Sequence, residues 1–160
     1  MKILLEGPDC SGKSTLARTL KYSFNCDYFH NTVEHDDSMF KLRNNNLANC
    51  LKVNNNIIVD RWNISEFIYG NIFRGKSRVT LSEVVSECRL FDEIIFCLPA
   101  DYNKYIKSFE KLSNSRDEYI KELKTISKIY YAYQDLYFYL KTKKDINIKR
   151  YDYFNCLYES

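Results

Sequence analysis

Apolar and polar positions alternate along this chain at two scales. Short apolar runs, such as the β-branched run 57–59, predict strands buried on both faces, and between them apolar residues recur at helical spacing. Predicted strands are 3–5, 26–30, 57–59, 94–98 and 146–151, and predicted helices are 15–24, 36–51, 80–89 and 119–140. This alternation predicts an α/β domain with about five parallel strands flanked by helices in three layers.

Domain organisation follows from the length and from the absence of dividing segments. At 160 residues, with no repeat, low-complexity tract or long linker, the chain is expected to form one domain over 1–160. Glycine is scarce and occurs in two places, Gly7 and Gly12 near the start and Gly70 and Gly75 near the middle. These two places are the candidate site loops, because glycine supplies backbone freedom.

The first glycine pair belongs to a recognisable motif. Residues 7–14 read G-x-x-x-x-G-K-S between the first predicted strand and the first predicted helix. This spacing is typical of a phosphate-binding P-loop, in which backbone N–H groups converge at the positive end of a helix. The alternative, an ordinary glycine turn, is disfavoured because strand, spacing, lysine and hydroxyl all agree. The residues predicted to bind ATP are Gly7, Pro8, Cys10, Ser11, Gly12, Lys13, Ser14 and Thr15.

Charged and hydroxyl side chains near this loop suggest phosphoryl transfer. Lys13 is predicted to bring a charge to the transferred phosphate, and the Ser14 hydroxyl to ligate Mg²⁺. Asp60 ends a buried strand, so it is expected at the same sheet edge, where it can hold Mg²⁺ through water. Arg61 beside it has a planar fork suited to phosphate oxygens. An exposed Asp-Arg pair is the alternative.

Composition narrows the classes of partner. The net charge is only +3, so nucleic-acid binding is not expected. The six cysteines form no C-x-x-C pair and no cluster with histidine at zinc spacing, and they are interpreted as reduced thiols. His30 and His35 receive no catalytic role, and Cys10 is expected to be inert. No signal segment and no membrane-spanning run is apparent, so we expect a soluble, cytoplasmic protein.

A family resemblance becomes specific in the middle of the chain. The pattern Asp60-Arg61-x-x-x-Ser65-x-x-x-Tyr69 resembles the D-R-x-x-x-S-x-x-x-Y motif of the thymidylate kinase and deoxynucleoside kinase superfamily of P-loop kinases. The segment 6–14 resembles their E-G-x-D/E-x-x-G-K-S/T loop. The run 69–75 is most similar to small, often phage-encoded thymidylate kinase-like members, which would place the protein in host cytoplasm.

The resemblance implies roles for several residues. Asp9 would reach the 3′-hydroxyl of the acceptor sugar, and a carboxylate there can also accept a hydroxyl proton. Arg61 would contact the acceptor and transferred phosphates. Ser65 and Tyr69 would line the nucleoside pocket, with Tyr69 crowding the space of a ribose 2′-hydroxyl. The resemblance also suggests a homodimer.

Three further assignments concern positions outside these motifs. Phe40 and Arg43, at i and i+3, are candidates to stack on an acceptor base and to bind its edge, and the alternative is a core aromatic and a solvated charge. The pattern over 116–120 resembles the end of the lid in phage-type kinases, which makes Arg116 the lid candidate within a lid segment of about 104–118. Arg150, with Tyr151, is predicted to border the adenine.

The function predicted from these observations is Mg²⁺-dependent transfer of the ATP γ-phosphate to a deoxynucleoside monophosphate, with thymidylate first. A deoxynucleoside acceptor is the alternative, and it would require a carboxylate base such as Glu34, Asp36 or Asp37. A non-kinase nucleotide-binding module is a further alternative, although a base-specificity motif such as N-K-x-D is absent. Lys13, Arg61, Asp9 and Arg116 are the predicted catalytic residues.

Overall fold

The computed structural model describes residues 1–32, 36–110, 116–155 and 157–159. Its strands are β1 Lys2–Glu6, β2 Asp27–His30, β3 Ile57–Asp60, β4 Glu93–Cys97, β5 Ile148–Asp152 and β6 Leu157–Glu159. Its helices are α1 Lys13–Phe24, α2 Asp37–Val53, α3 Asn63–Arg74, α4 Leu81–Cys88, α5 Tyr102–Glu110 and α6 Arg116–Lys141. Every predicted strand and helix is present within a few residues of its predicted bounds.

The strands form one sheet in the order β2-β3-β1-β4-β5-β6. The first five are parallel, which confirms the predicted sheet, whereas β6 pairs antiparallel with β5 and was not predicted. All four residues of β3 are buried, as its β-branched sequence indicates. Because parallel strands end at a common edge, the segments that follow β1, β3 and β4 meet there.

Helices cover both faces of the sheet and produce the expected three layers. On one face Leu16 and Ala17 of α1 pack against Ile3, Leu5 and Ile58. On the other face the core includes side chains from α2 to α6. The aromatic stripe of α6 is part of this core, as its helical spacing predicts, with the side chains of Tyr130, Tyr133 and Tyr137 at most 4% exposed.

Local sequence explains where α2 and α4 begin. The carboxylate of Asp36 accepts hydrogen bonds from the backbone N–H groups of Ser38 and Met39 and caps α2. Thr80 and Glu83 form a reciprocal capping box at α4.

Two helices lie where the sequence predicted none. The helix α3 follows Arg61 directly and contains the resemblance motif. The helix α5 occupies the first part of the predicted lid, where Tyr105 is buried and Phe109 packs against the core. The lid segment also includes residues 111–115, which lie outside the described residues, and the start of α6.

The five cysteines that the structure describes are free thiols, as predicted. None of the described helices is long and apolar enough to cross a membrane.

Candidate active site

The segment 7–12 closes tightly over the end of β4. Gly7 has a φ of 145°, and a Cβ there would lie 2.2 Å from the carbonyl oxygen of Cys97, so only glycine fits. Gly12 has a φ of 83° and precedes α1, where a Cβ would lie 2.9 Å from the Tyr153 side chain. The first N–H groups of α1 have no acceptor within the helix, and their positive end is available to an anion.

Lys13 lies inside this loop and is 6% exposed. Its Nζ donates to the carbonyl oxygens of Gly7 at 2.8 Å and Pro8 at 2.7 Å. Burial, together with the nearby Arg61 guanidinium, lowers the pKa of Lys13 to about 8. Polyphosphate in the loop would oppose this shift, because negative charge stabilises the ammonium.

The other loop side chains have supporting positions. The Ser11 hydroxyl donates to the Pro8 carbonyl oxygen at 2.7 Å. Cys10 adopts a positive φ of 56°. Burial, with a contribution from Asp9, raises the pKa of the Cys10 thiol, so the group stays protonated, in keeping with the inert role expected for it.

Asp60 is 1% exposed at the end of β3. Its Oδ2 accepts a hydrogen bond from the Tyr28 hydroxyl at 2.7 Å and lies 3.1 Å from Nδ1 of His30. Its Oδ1 has no hydrogen-bond partner among the described residues. An unpaired buried carboxylate oxygen in the same cavity as the exposed Ser14 side chain fits a magnesium site, since Mg²⁺ binds one or two protein oxygens and completes its shell with phosphate and water. No cluster of three acidic, histidine or cysteine ligands occurs in the described ranges.

Arg61 follows Asp60 in a left-handed backbone conformation with a φ of 69°. Its backbone N–H donates to the carbonyl oxygen of Leu5 at 2.9 Å. Its guanidinium forms an ion pair with Asp9 and lies 5.4 Å from the centre of the Tyr69 ring. The Arg61 guanidinium is thus held between Asp9 of the P-loop and Tyr69 of α3.

Two cavities adjoin at Arg61. The first, called the P-loop cavity, has a volume of about 410 Å³ and is lined by residues 9–15, His30, Asn31, Thr32, Asp60, Arg61 and Tyr69. The second, called the α2–α3 cleft, is a narrow space of about 40 Å³ lined by Asn31, Thr32, Phe40, Arg43, Asn44, Arg61, Trp62, Ser65, Glu66 and Tyr69. Four residues line both, namely Asn31, Thr32, Arg61 and Tyr69.

The α2–α3 cleft brings together the residues that the sequence proposes for an acceptor. The Arg43 guanidinium donates to the Thr32 hydroxyl at 2.5 Å, which holds it at the edge of the cleft. Phe40 is partly buried and faces the cleft from the same helix. The Tyr69 hydroxyl is buried, and its neighbour at the cleft is the Arg61 guanidinium.

Glu6 is a residue that sequence reasoning left without a role. It is fully buried, and its carboxylate accepts hydrogen bonds from the backbone N–H of Trp62 at 2.7 Å and from the Ser65 hydroxyl at 2.6 Å. The Tyr133 hydroxyl lies 2.8 Å from Ser65 Oγ. Burial is the main cause that raises the pKa of Glu6, and its hydrogen bonds oppose the shift. Glu6 therefore caps α3 from another element, and Ser65 lines the cleft with its hydroxyl already engaged.

One predicted residue, Arg150, lies apart from the two cavities. The Arg150 guanidinium donates to the carbonyl oxygens of Leu98 at 2.7 Å and Pro99 at 2.8 Å, and Arg150 is absent from the described lining of both cavities. Its contact with adenine stays a prediction. Arg116 begins α6, but its side chain lies outside the part of the chain whose side chains are described.

Solved structures with similar folds were found, although no protein-family model matches the sequence and no curated protein matches it. The YorR protein of Bacillus subtilis, in complex with phosphorylated GDP, superposes with a TM-score of 0.70 at 22% identity, over 95% of this chain and 85% of that one. A deoxyadenosine kinase from M. mycoides, with the products dCMP and dCDP bound, superposes with a TM-score of 0.62 at 19% identity, over 95% of this chain and 90% of that one. Shikimate kinase from Bacteroides thetaiotaomicron superposes with a TM-score of 0.54 at 14% identity, over 95% of this chain and 85% of that one. The chain therefore has the fold of the P-loop kinases.

Proposed function

We propose that the protein is a kinase that transfers the γ-phosphoryl group of ATP to a deoxynucleoside monophosphate, with thymidylate as the first candidate. The observation that carries this proposal is the pair of adjoining cavities that meet at Arg61 and Tyr69. A module that only holds or hydrolyses a nucleotide needs the P-loop cavity but has no need of the α2–α3 cleft. A second cavity that shares Arg61 and Tyr69 with the first suits an enzyme that binds two substrates.

In the proposed reaction, the bond between the γ-phosphorus and its bridging oxygen breaks as an oxygen of the acceptor phosphate bonds to that phosphorus, and ADP leaves. The P-loop backbone and Lys13 bind the donor phosphates, and Arg61 neutralises charge that develops between donor and acceptor. Asp60 and Ser14 would hold Mg²⁺, which supplies charge neutralisation at the phosphate oxygens. Positioning and electrostatics suffice, because the attacking oxygen is already anionic.

The choice of a monophosphate over a nucleoside depends on the available bases. A nucleoside hydroxyl requires a carboxylate, and Asp36 instead caps α2 while Asp37 forms an ion pair with Arg78. Neither lines the P-loop cavity or the α2–α3 cleft in the described chain. Glu34 lies outside the described residues. Besides Asp60, two other carboxylates of the described chain do line these cavities, but each is paired with an arginine, Glu66 with Arg74 and Asp9 with Arg61. The position of Asp9 supports the contact to the acceptor sugar that the family resemblance implies.

The direct test is a coupled assay of ADP release with ATP and Mg²⁺. The acceptors are thymidylate, the other three deoxynucleoside monophosphates, thymidine and deoxyadenosine, the last because of the fold similarity to a deoxyadenosine kinase. We expect the largest stimulation with a monophosphate. Equal ADP release with every acceptor and with water would refute the kinase proposal, and stimulation by nucleosides alone would replace the monophosphate with a nucleoside.

A further inference from the structure

A third cavity lies behind the α2–α3 cleft, between α2, α3 and α4. It has a volume of about 780 Å³, and its lining includes Asp37, Phe40, Asn44, Arg74 and Arg78. Phe40 and Asn44 also line the cleft, so these two side chains form the partition between the two spaces. Arg78 lies on the far side of this partition.

Arg78 contacts three residues on the two helices α2 and α3, and its side chain is 13% exposed. Its Nε donates to Oδ1 of Asp37, at the start of α2, at 2.6 Å. Its Nη1 lies 3.7 Å from Oε2 of Glu66 on α3, and its backbone N–H donates to Oε1 of the same carboxylate at 3.0 Å. The guanidinium carbon lies 5.2 Å from the centre of the Phe40 ring. Arg78 thus connects α2 to α3 and occupies one face of Phe40.

The first half of α2 depends on such a contact. The residues that are buried in α2, Leu47 and Leu51, lie in its second half. Its first half presents Phe40 and Arg43 to the cleft, where partly exposed side chains contribute less apolar burial. The Arg78–Glu66 pair is shielded from water, with Glu66 only 9% exposed, and it is held more strongly than the Arg78–Asp37 pair, in which Asp37 is 80% exposed. Arg78 therefore holds Phe40 relative to α3 from behind, beside the hydrogen bonds that join Asn44 to Asn63 and Trp62.

We propose that Arg78 is a positioning residue for the acceptor: by pairing with Asp37 and Glu66 and stacking on the back of Phe40, it holds the Phe40 ring at the α2–α3 cleft and leaves the front of that ring for a planar base. This inference rests on the proposed function, since it takes the cleft as the acceptor site. Arg78 does not line the cleft in the described chain and acts through Phe40. Lysine cannot reproduce the function, because it lacks the planar fork that joins two carboxylates and stacks on a ring.

The test compares Arg78→Met and Arg78→Lys with a matched control, Arg89→Met. Arg89 also pairs with a carboxylate, Asp145 at 2.5 Å, but both side chains are about half exposed and neither lines a cavity described above. Binding of thymidylate and of the other three deoxynucleoside monophosphates is followed by the fluorescence of Trp62, the single tryptophan, which lines the cleft. Steady-state kinetics give KM for acceptor and for ATP, and kcat.

We expect both Arg78 variants to bind the acceptor about tenfold more weakly, with the KM for ATP and the kcat at saturating acceptor within about twofold of wild type. The control should match wild type. A double-mutant cycle with Phe40→Leu should show strong coupling, so that Arg78→Met adds little once Phe40 is gone. If Arg78 contributed only to folding, its variants would have a lower unfolding midpoint, and the KM for acceptor would not change separately from the KM for ATP.

The outcomes separate the two proposals. If wild type binds and phosphorylates a nucleotide and the Arg78 variants bind it equally well, the positioning role of Arg78 is overturned and the proposed function remains. Additive effects of Arg78→Met and Phe40→Leu would also overturn it. If wild type binds none of the four monophosphates, the cleft is not their site and both proposals fail together.

Discussion

Arg61 combines a costly backbone conformation with a central position. A non-glycine residue in the left-handed region costs about 1–2 kcal/mol, and Arg61 has a φ of 69°. The N–H groups of Arg61 and Trp62 are both held by the end of β1, through the Leu5 carbonyl oxygen and the Glu6 carboxylate. Such strain is common at functional sites, where the surrounding structure holds it in place.

Replacement of Arg61 by alanine should remove charge stabilisation without unfolding the protein. We expect kcat to fall by about 100-fold to 1,000-fold, because a preorganised donor to the transition state is lost. The unfolding midpoint should change little, since alanine keeps the backbone hydrogen bond to Leu5. The measurement is steady-state kinetics beside a thermal melt, with Arg89→Ala as the control. Full activity in Arg61→Ala would remove Arg61 from the mechanism.

Glu6 should make stability depend on pH with a defined sign. Burial raises its pKa in the folded state above the ordinary value of 4.5, so the folded protein holds this proton more tightly than the unfolded chain. The stabilisation is complete below about pH 4.5 and is lost as pH rises through the folded pKa. The unfolding free energy of wild type should therefore fall with rising pH relative to Glu6→Gln, by at most about 1.4 kcal/mol per pH unit. Urea denaturation of both proteins between pH 4 and 8 gives the difference curve, and a flat curve would contradict the assignment.

At the scale of elements, α3 links the two candidate cavities. Its first turn is capped by Glu6, and its middle carries Tyr69 and Glu66 to the cleft. Near its end Arg74 turns back to form an ion pair with Glu66. The Arg74 side chain has room to reach Glu66 because position 70 is glycine. A Cβ at this position would lie 2.6 Å from Nη2 of Arg74 and 2.9 Å from Cα of Ser77.

Gly70→Ala should therefore weaken acceptor binding from a distance. The new methyl group must displace the main chain at Ser77, and so the segment that carries Arg78. Overpacking of this kind costs about 1–3 kcal/mol, which is at least the roughly 1 kcal/mol that alanine gains over glycine in a helix. We expect a raised KM for the acceptor and an unchanged KM for ATP, measured by steady-state kinetics.

The matched control is Gly75→Ala, at the end of the same helix. Gly75 has a φ of 73°, but a Cβ there has no neighbour within 4 Å. This variant should lose stability through backbone strain alone and keep the acceptor KM of wild type. Equal acceptor KM values in both variants would show that the contact at Ser77 is irrelevant to the cleft.

For the whole molecule, the sheet order decides how the two cavities meet. Placement of β3 beside β1 sets Asp60 and Arg61 next to the loop that follows β1. The P-loop cavity and the α2–α3 cleft then share Asn31, Thr32, Arg61 and Tyr69. A ligand that fills both cavities at once would contact all four shared residues.

A linked ligand should exploit this adjacency. Adenosine and thymidine joined by five phosphates should raise the unfolding midpoint more than ATP and thymidylate added together at the same concentration, because the second binding event becomes intramolecular. Differential scanning fluorimetry with excess Mg²⁺ checks this. A midpoint no higher than that of the mixture would mean that the cavities are not occupied together.

Much of the architecture was predictable because it depends on local pattern. The run 57–59 is β-branched, so its burial in a parallel strand follows from residue type, and the position of Asp60 follows from the rule that parallel strands end at one edge. The G-x-x-x-x-G-K-S spacing likewise predicted the turn before α1. The helix α5 was missed because its lysines suggested a polar segment, although Tyr102, Tyr105, Ile106 and Phe109 carry the helical spacing that indicates it.

The sequence alone thus determined the order of strands and helices, the phosphate-binding turn and the edge at which the site lies, since each depends on residues close together in the chain. Only the tertiary structure decided the spatial order of the strands, the burial of Glu6 against Tyr133, 127 positions away, and the contact of Arg78 with Asp37, 41 positions away. No local pattern encodes such pairs. They form when packed elements bring buried polar groups together and each group must find a partner.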